Sequence, residues 1–288
     1  LLISRDAISI DRGRYSRRLA RDKLGAIVMR TGQYRTWRPW EYRWASPLAL
    51  LLLWQAGSAV GLIPPRILAS PFSVMDELGR MLRSGELAGH LAVSLLRVSL
   101  GLAFGVGSGI VLGLLAGLSR AGDAAIDPLV QIKRTIPVVA LTPLFIVWFG
   151  IGETTKIGLI AFATAFPVYL NLHQGIRGVD RRLLDAARSF GLSRSQLVWH
   201  VVLPGALPSL LVGLRYALSI SVLMLVIAEQ VNATSGLGYL INDARETMRT
   251  DIIVVCLMIY ALLGLGGDWL VRWIETRALA WRPALVGA

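Results

Sequence analysis

Hydrophobic and polar positions alternate along this chain on a coarse scale, long apolar runs being separated by short basic ones. The runs predict helices at Ser46 to Leu62, Leu91 to Leu118, Thr135 to Gly150, Lys156 to Leu172, Leu207 to Ala228 and Ile252 to Ile274. Each approaches or exceeds the roughly 20 residues that cross a bilayer core. The fold class that follows is an all-α polytopic membrane protein with six transmembrane helices. Glycines recur in the second run at Gly101, Gly105, Gly107, Gly109, Gly113 and Gly117. Such residues weaken a helix in water but let helices approach closely in a membrane. Pro137 and Pro143 predict a bend or break in the third run, which reaches back into "IDPLVQIKR", because proline removes a backbone donor and crowds the preceding turn.

Composition points the same way, with 55% hydrophobic and 17% charged residues among 288 and a mean hydropathy of +0.59. The net charge of +12 raises nucleic acid as a partner. The basic residues alternate with oily segments instead of gathering on one polar domain, so no nucleic-acid partner is expected. They report orientation instead. Of 30 lysines and arginines, 11 precede Trp44 and five lie between the fourth and fifth runs, which places both termini and that connection in the cytoplasm by the positive-inside tendency. Residues 1–43 read as a basic cytoplasmic arm, 44–281 as the membrane domain, 177–200 as a cytoplasmic loop within it, and 282–288 as a tail.

That loop is the most structured polar stretch. "DRRLLDAARSF" carries Leu183, Leu184, Ala187 and Phe190 close to one face of a short helix, with Asp180 as its N-cap. Gly191 ends the helix, and Ser193 with Gln196 forms a capping box for a second one. A compact knob of this kind suits docking to a cytoplasmic partner and equally suits a connector lying in the lipid interface.

Candidate chemistry elsewhere is sparse. Arg97 and Arg215 fall within apolar runs, where charge is costly and usually faces a cavity or a partner; both also fit snorkelling or pairing inside the bundle. "EQVNATSGLG" puts Glu229, Gln230, Asn232 and Ser235 at the end of the fifth run, with Gly236 and Gly238 suited to a tight turn. His90, His173 and His200 are scattered and, with the single Cys256, do not make a metal site. No GxxxxGK[ST] phosphate loop occurs, so no catalytic role and no cofactor are expected for this chain.

Asp185-Ala186-Ala187, three residues, Gly191, nine residues and Val201-Val202-Leu203-Pro204 resemble the EAA loop of bacterial binding-protein-dependent ABC transporter permeases. Asp185 stands for the usual Glu and Val201 for the usual Ile. "LTPLFIVWFGIGETTKI", "GLRYAL", "AEQVNATSGLGYLINDAR" and "GDWLVRWIE" are similar to the subfamily for nitrate, aliphatic sulfonates and taurine. The resemblance covers about Leu48 to Trp281. It implies a permease subunit in the bacterial inner membrane, paired with a second copy, two cytoplasmic ATPase subunits that bind ATP and Mg, and an extracytoplasmic solute-binding protein. It also implies ATPase coupling through Asp185, Ala186, Ala187, Arg188, Gly191, Leu203 and Pro204. For a small anionic solute, Arg97, Arg215, Glu229 and Asn232 become candidates for the path or gate. The competing reading is a membrane scaffold that binds the ATPase without moving solute.

Overall fold

Glycine spacing in the second run decides the centre of the fold. In the computed structural model, which describes residues 45–231 and 233–281, that run is part of a helix over Glu86–Leu118 (α3). Its Gly101, Gly105, Gly109, Gly113 and Gly117 recur every fourth residue and meet Ile160, Thr164, Val168, Leu172 and Ile176 in turn. Those partners lie on Glu153–Arg177 (α6). A Cβ on Gly109 would stand 2.6 Å from the Ala165 carbonyl oxygen, so the two backbones touch only because the stripe has no side chains. Gly107 faces open space and takes no part.

An adjoining face of α6 packs against Leu203–Gln230 (α9), again through small residues. Gly213 meets Asn171 and the Pro167 carbonyl, and Gly175 meets Ser209. Thus α6, the least oily of the long helices, is shielded on two adjoining faces, and α3 and α9 expose their leucines outward. Thr250–Ala278 (α11) packs along α9.

Among the described residues four helical stretches are long and apolar enough to cross a membrane: α3, α6, Arg194–Gln230 and α11. The third predicted run breaks as its prolines foretell. Arg120–Thr135 (α4) ends before Pro137, a single 3₁₀ turn covers Val138–Leu141, and Thr142–Phe149 (α5) resumes at an angle of 93°. The first run is the shorter helix Ala45–Ala59 (α1). All four of the long helices start or stop several residues beyond the predicted limits, as helix ends capped by polar residues commonly do.

Two helices are absent from the reading of apolar runs. Pro71–Ser84 (α2), capped by Ser70, and Leu237–Glu246 (α10) are amphipathic and short, so neither forms a long apolar run. Glu77 of α2 is nonetheless buried, paired with Arg80 and, at 2.6 Å, with Arg249. The basic arm at 1–43, the tail at 282–288 and Asn232 lie outside the described residues.

Candidate functional site

Two polar constructions occupy opposite ends of α6. The helix has 25 residues, a length of about 37 Å, which matches a bilayer core plus part of its interfaces.

At its C-terminal end, Arg181–Ser189 (α7) is capped by Asp180, whose side chain accepts from the Arg182 N–H at 2.9 Å. The helix stops at Gly191, which adopts φ +80°. The Gly191 N–H donates to the Arg188 carbonyl and the Leu192 N–H to the Ala187 carbonyl, the double closure that a left-handed residue after a helix permits. Ser193 and Gln196 then bond reciprocally, opening the single turn Arg194–Leu197 (α8). A π-helical turn, Val198–Val202, joins α8 to α9. Pro204 lies in the first turn of α9 and has no N–H for the His200 carbonyl. The wider turn accommodates the loss of that bond.

The apolar residues of α7 do not share one face. Leu184 packs against a cluster of Leu172, Ile176, Val202 and Ala206, and Ala187 is also buried. Leu183, Ala186 and Phe190 point outward, Phe190 being 85% exposed. Positions 184 and 187 form one i, i+3 row and 183, 186 and 190 the neighbouring one, about 100° round the helix. The inner row fastens the knob to the ends of α6 and α9, and the outer row remains free for a partner. Asp185 and Arg188 are exposed and pair with each other at 3.1 Å. Leu203 and Pro204 lie behind the knob, partly buried at the root of α9. Residue spacing put Leu183 and Phe190 close to one face with Leu184 and Ala187, and the structure separates them.

At the other end of α6 lies a buried charged network. Arg97 is 1% exposed, and its five N–H groups have acceptors. Nε and Nη2 donate to the two oxygens of Glu153 at 2.5 and 2.6 Å, and Nη1 to Glu229 Oε1 at 2.8 Å and the Ser235 carbonyl at 2.7 Å. Nη2 also reaches Ser235 Oγ at 3.4 Å. Glu229, fully enclosed, receives Ser94 Oγ, the Gly238 N–H and the Tyr260 hydroxyl besides Arg97. Lys156 donates to Glu153 at 3.0 Å, so two cations meet two carboxylates. Gly236 and Gly238 serve close approach as well as turning, since a Cβ on Gly238 would lie 2.5 Å from Glu229 Cβ. Gly236 N–H donates to His90 Nδ1 at 3.0 Å. Arg97 therefore turns inward, not toward the interface, and ties α3, α6 and α9 to the segment before α10.

Arg215 lies apart, half-exposed on α9. It donates to Glu275 at 2.6 Å and stands 3.5 Å from Asp268, both on α11. A further polar ladder went unread in the sequence. Asp123 holds His173 and Arg177, each at 2.8 Å, and Asp127 accepts from the Tyr169 hydroxyl at 3.0 Å. The matching i, i+4 spacings, 123 and 127 on α4 against 169, 173 and 177 on α6, were its available signal. The aromatics of "FIVWF" line a cavity of about 810 Å³ between α3, α4, α5 and α6.

Comparison with known proteins gives these shapes a context. The model of the family described as binding-protein-dependent transport system inner membrane component matches residues 109–279. The chain is 48% identical over 241 residues to the putative aliphatic sulfonates transport permease protein SsuC of Escherichia coli, covering 84% of this chain and 92% of that one. It is 36% identical over 237 residues to the taurine transport system permease protein TauC of the same organism, covering 81% and 86%. Among solved structures, an amino acid ABC transporter with histidines superposes with a TM-score of 0.57 at 19% identity, covering 69% of this chain and 97% of that one. That likeness concerns the fold alone.

Proposed function

Because the chain belongs to the family of binding-protein-dependent transport system inner membrane components, we propose that it is the permease subunit of an ATP-driven importer of small organic sulfonates. Two copies form the path, two cytoplasmic ATPase subunits bind beneath them, and an extracytoplasmic binding protein delivers the solute. Bond cleavage belongs to the ATPases, and this chain converts their closure into movement of helices. Both termini and the α7 knob face the cytoplasm, as the distribution of basic residues favours. The sulfonate is inferred from the names of the relatives at 48% and 36% identity.

The observation that carries this reading is the two-sided α7. A helix used only to lie in lipid would turn its apolar rows toward the bilayer together. Here one row grips the inner ends of α6 and α9, while Leu183, Ala186 and Phe190 stand free beside charged Asp185 and Arg188. An ATPase that moves this row moves both helices, because Leu184 and Val179 pack on the same cluster. The polar network around Arg97 and Glu229 lies at the far end of those helices. It holds the outer segments together, so that motion imposed at the knob is taken up in the middle of the bundle.

Pairing with a second copy is supported by residues 135–141. Thr135, Ile136, Pro137, Val139 and Ala140 are exposed in the single chain and include irregular backbone. Irregular backbone at membrane depth has to be covered by protein or line a watery path.

Phe190→Asp tests the reading. Purified with its ATPase, the variant should lose at least tenfold in ATPase affinity, while its helical content and its own melting temperature stay near those of the unsubstituted chain. Undiminished affinity would remove the outer row from the coupling contact. ATP-dependent uptake of hexanesulfonate by the reconstituted complex separates a permease from a scaffold, which would bind the ATPase and move nothing.

A further inference from the structure

Lys133 has a position that its place in the sequence conceals. It lies near the end of α4, in the stretch into which the third apolar run reaches back, and its ammonium reaches the middle of α6. It donates to the Phe162 carbonyl at 2.9 Å and sits 4.6 Å from the Phe162 ring centre and 5.2 Å from that of Phe166. Phe162 is nine residues into α6, about 14 Å from its outer end, and so near the midplane of a bilayer core. A lysine without a role would extend toward the interface. Arg97, Lys156 and Arg215 all have carboxylates; among the described residues Lys133 has a carbonyl and two rings instead.

The same ammonium borders the cavity of about 810 Å³, a volume suited to a small molecule. Phe104, Phe145, Trp148, Phe162 and Phe166 supply apolar wall, with Ser108, Thr154 and Tyr169, whose hydroxyl is turned to Asp127, as polar points and no aspartate or glutamate in the lining itself. One side is formed by the break between α4 and α5, where irregular backbone at depth is compatible with a cavity.

We propose that this cavity is a binding site within the membrane domain for an anion with one negative head and an apolar tail. The head pairs with Lys133, drawing it from its present carbonyl and rings, and the tail lies on the aromatic wall. The proposal rests on the importer reading and sharpens its solute class. An unsubstituted alkanesulfonate fits. Taurine would add an ammonium beside Lys133 where no carboxylate stands to receive it, and nitrate would leave the aromatic wall unused. The membrane subunit would thereby select by tail and net charge, in addition to any selection by the binding protein.

The test uses the full chain assembled with its ATPase in phosphatidylcholine nanodiscs, and 6-bromohexane-1-sulfonate, whose bromine quenches tryptophan fluorescence. Saturable quenching is expected, lost with Trp148→Phe, weakened at least tenfold in affinity by Lys133→Met and largely retained by Lys133→Arg. Arg134→Gln, one residue along, should leave it unchanged. Ala165→Leu, which narrows the cavity without touching the charge, should weaken the six-carbon probe more than a three-carbon one. Hexanesulfonate should displace the probe at far lower concentration than taurine does.

Unsaturable quenching, or equal affinity in Lys133→Met, overturns the site. Displacement of the probe by phosphatidylglycerol added to the nanodisc would assign the cavity to an anionic lipid and overturn it as a solute site. Binding as described, with no ATP-driven uptake of hexanesulfonate by the complete transporter, would leave the site standing and refute the importer reading. Uptake unaffected by Lys133→Met, with no saturable quenching, would do the reverse.

Discussion

Glu229 shows how strongly one residue depends on its surroundings. A carboxylate with no exposure in a membrane domain is tolerated because Arg97, Ser94, Tyr260 and the Gly238 N–H all donate to it. Deleting Glu229 leaves Arg97 with Glu153 as its one carboxylate and strips Ser94, Tyr260 and the Gly238 N–H of their acceptor, and breaking a buried pair on one side costs up to about 3–5 kcal/mol. Deleting both leaves Glu153 with Lys156 as a balanced pair. Glu229→Leu should therefore lower the melting temperature of the purified chain sharply, and adding Arg97→Leu should restore part of the loss. A double variant whose loss equals the sum of the two single losses would show that the ion pair is not what holds this end together. Gly191 makes a different demand. Its φ of +80° costs a residue with a Cβ about 1–2 kcal/mol, so Gly191→Val should loosen the end of α7 and reduce ATP hydrolysis stimulated by solute while membrane insertion persists.

Contact between α3 and α6 is where element-level pattern was most informative, and also where it reached its limit. The stripe from Gly101 to Gly117 was visible as small residues, but the sequence did not separate Gly107, which faces nothing, from its neighbours, which touch α6. A helical row at every fourth residue makes the distinction once the partner helix is known. The contrast is measurable. Gly109→Val would place its Cβ 2.6 Å from the Ala165 carbonyl and should push α3 off α6, destabilising the chain by about 1–3 kcal/mol as overpacking does. Gly107→Ala should be neutral or stabilising, through a gain in helix propensity of up to about 1 kcal/mol. Comparable thermal melts for the two variants would dismiss the stripe as the packing seam. The knob was legible in more detail, since Asp180, Gly191, Ser193 and Gln196 are local signals that need no tertiary partner. Its division into gripping and free rows was not, because Leu184 and Phe190 are both apolar and only the position of the α6 and α9 ends separates them.

On the scale of the whole molecule, apolar runs predicted the long helices, but cross-chain polar geometry had no comparable signal. Arg97 lies 56 residues from Glu153 and 132 from Glu229, and hydropathy carries nothing about pairing over such separations. Lys133 was obscured for the same reason, since the antiparallel register of α4 on α6, 123 against 173 and 127 against 169, is what carries it level with Phe162. What remains exposed at depth then bears on assembly. The break at 135–141 leaves Val139 half-exposed, at 49%, on a segment that lipid cannot satisfy. The only native cysteine, Cys256, is buried, so Val139→Cys introduces a single reactive thiol. If two copies meet across this break, a short bis-maleimide applied to native membranes should convert much of the variant to a band of twice the mass. The same substitution at outward-facing Leu262 of α11, 63% exposed, should give little. Equal cross-linking at both positions would mean random collision, and none at Val139 together with no labelling by a water-soluble maleimide would place the break against lipid, contrary to its backbone chemistry and to the paired arrangement.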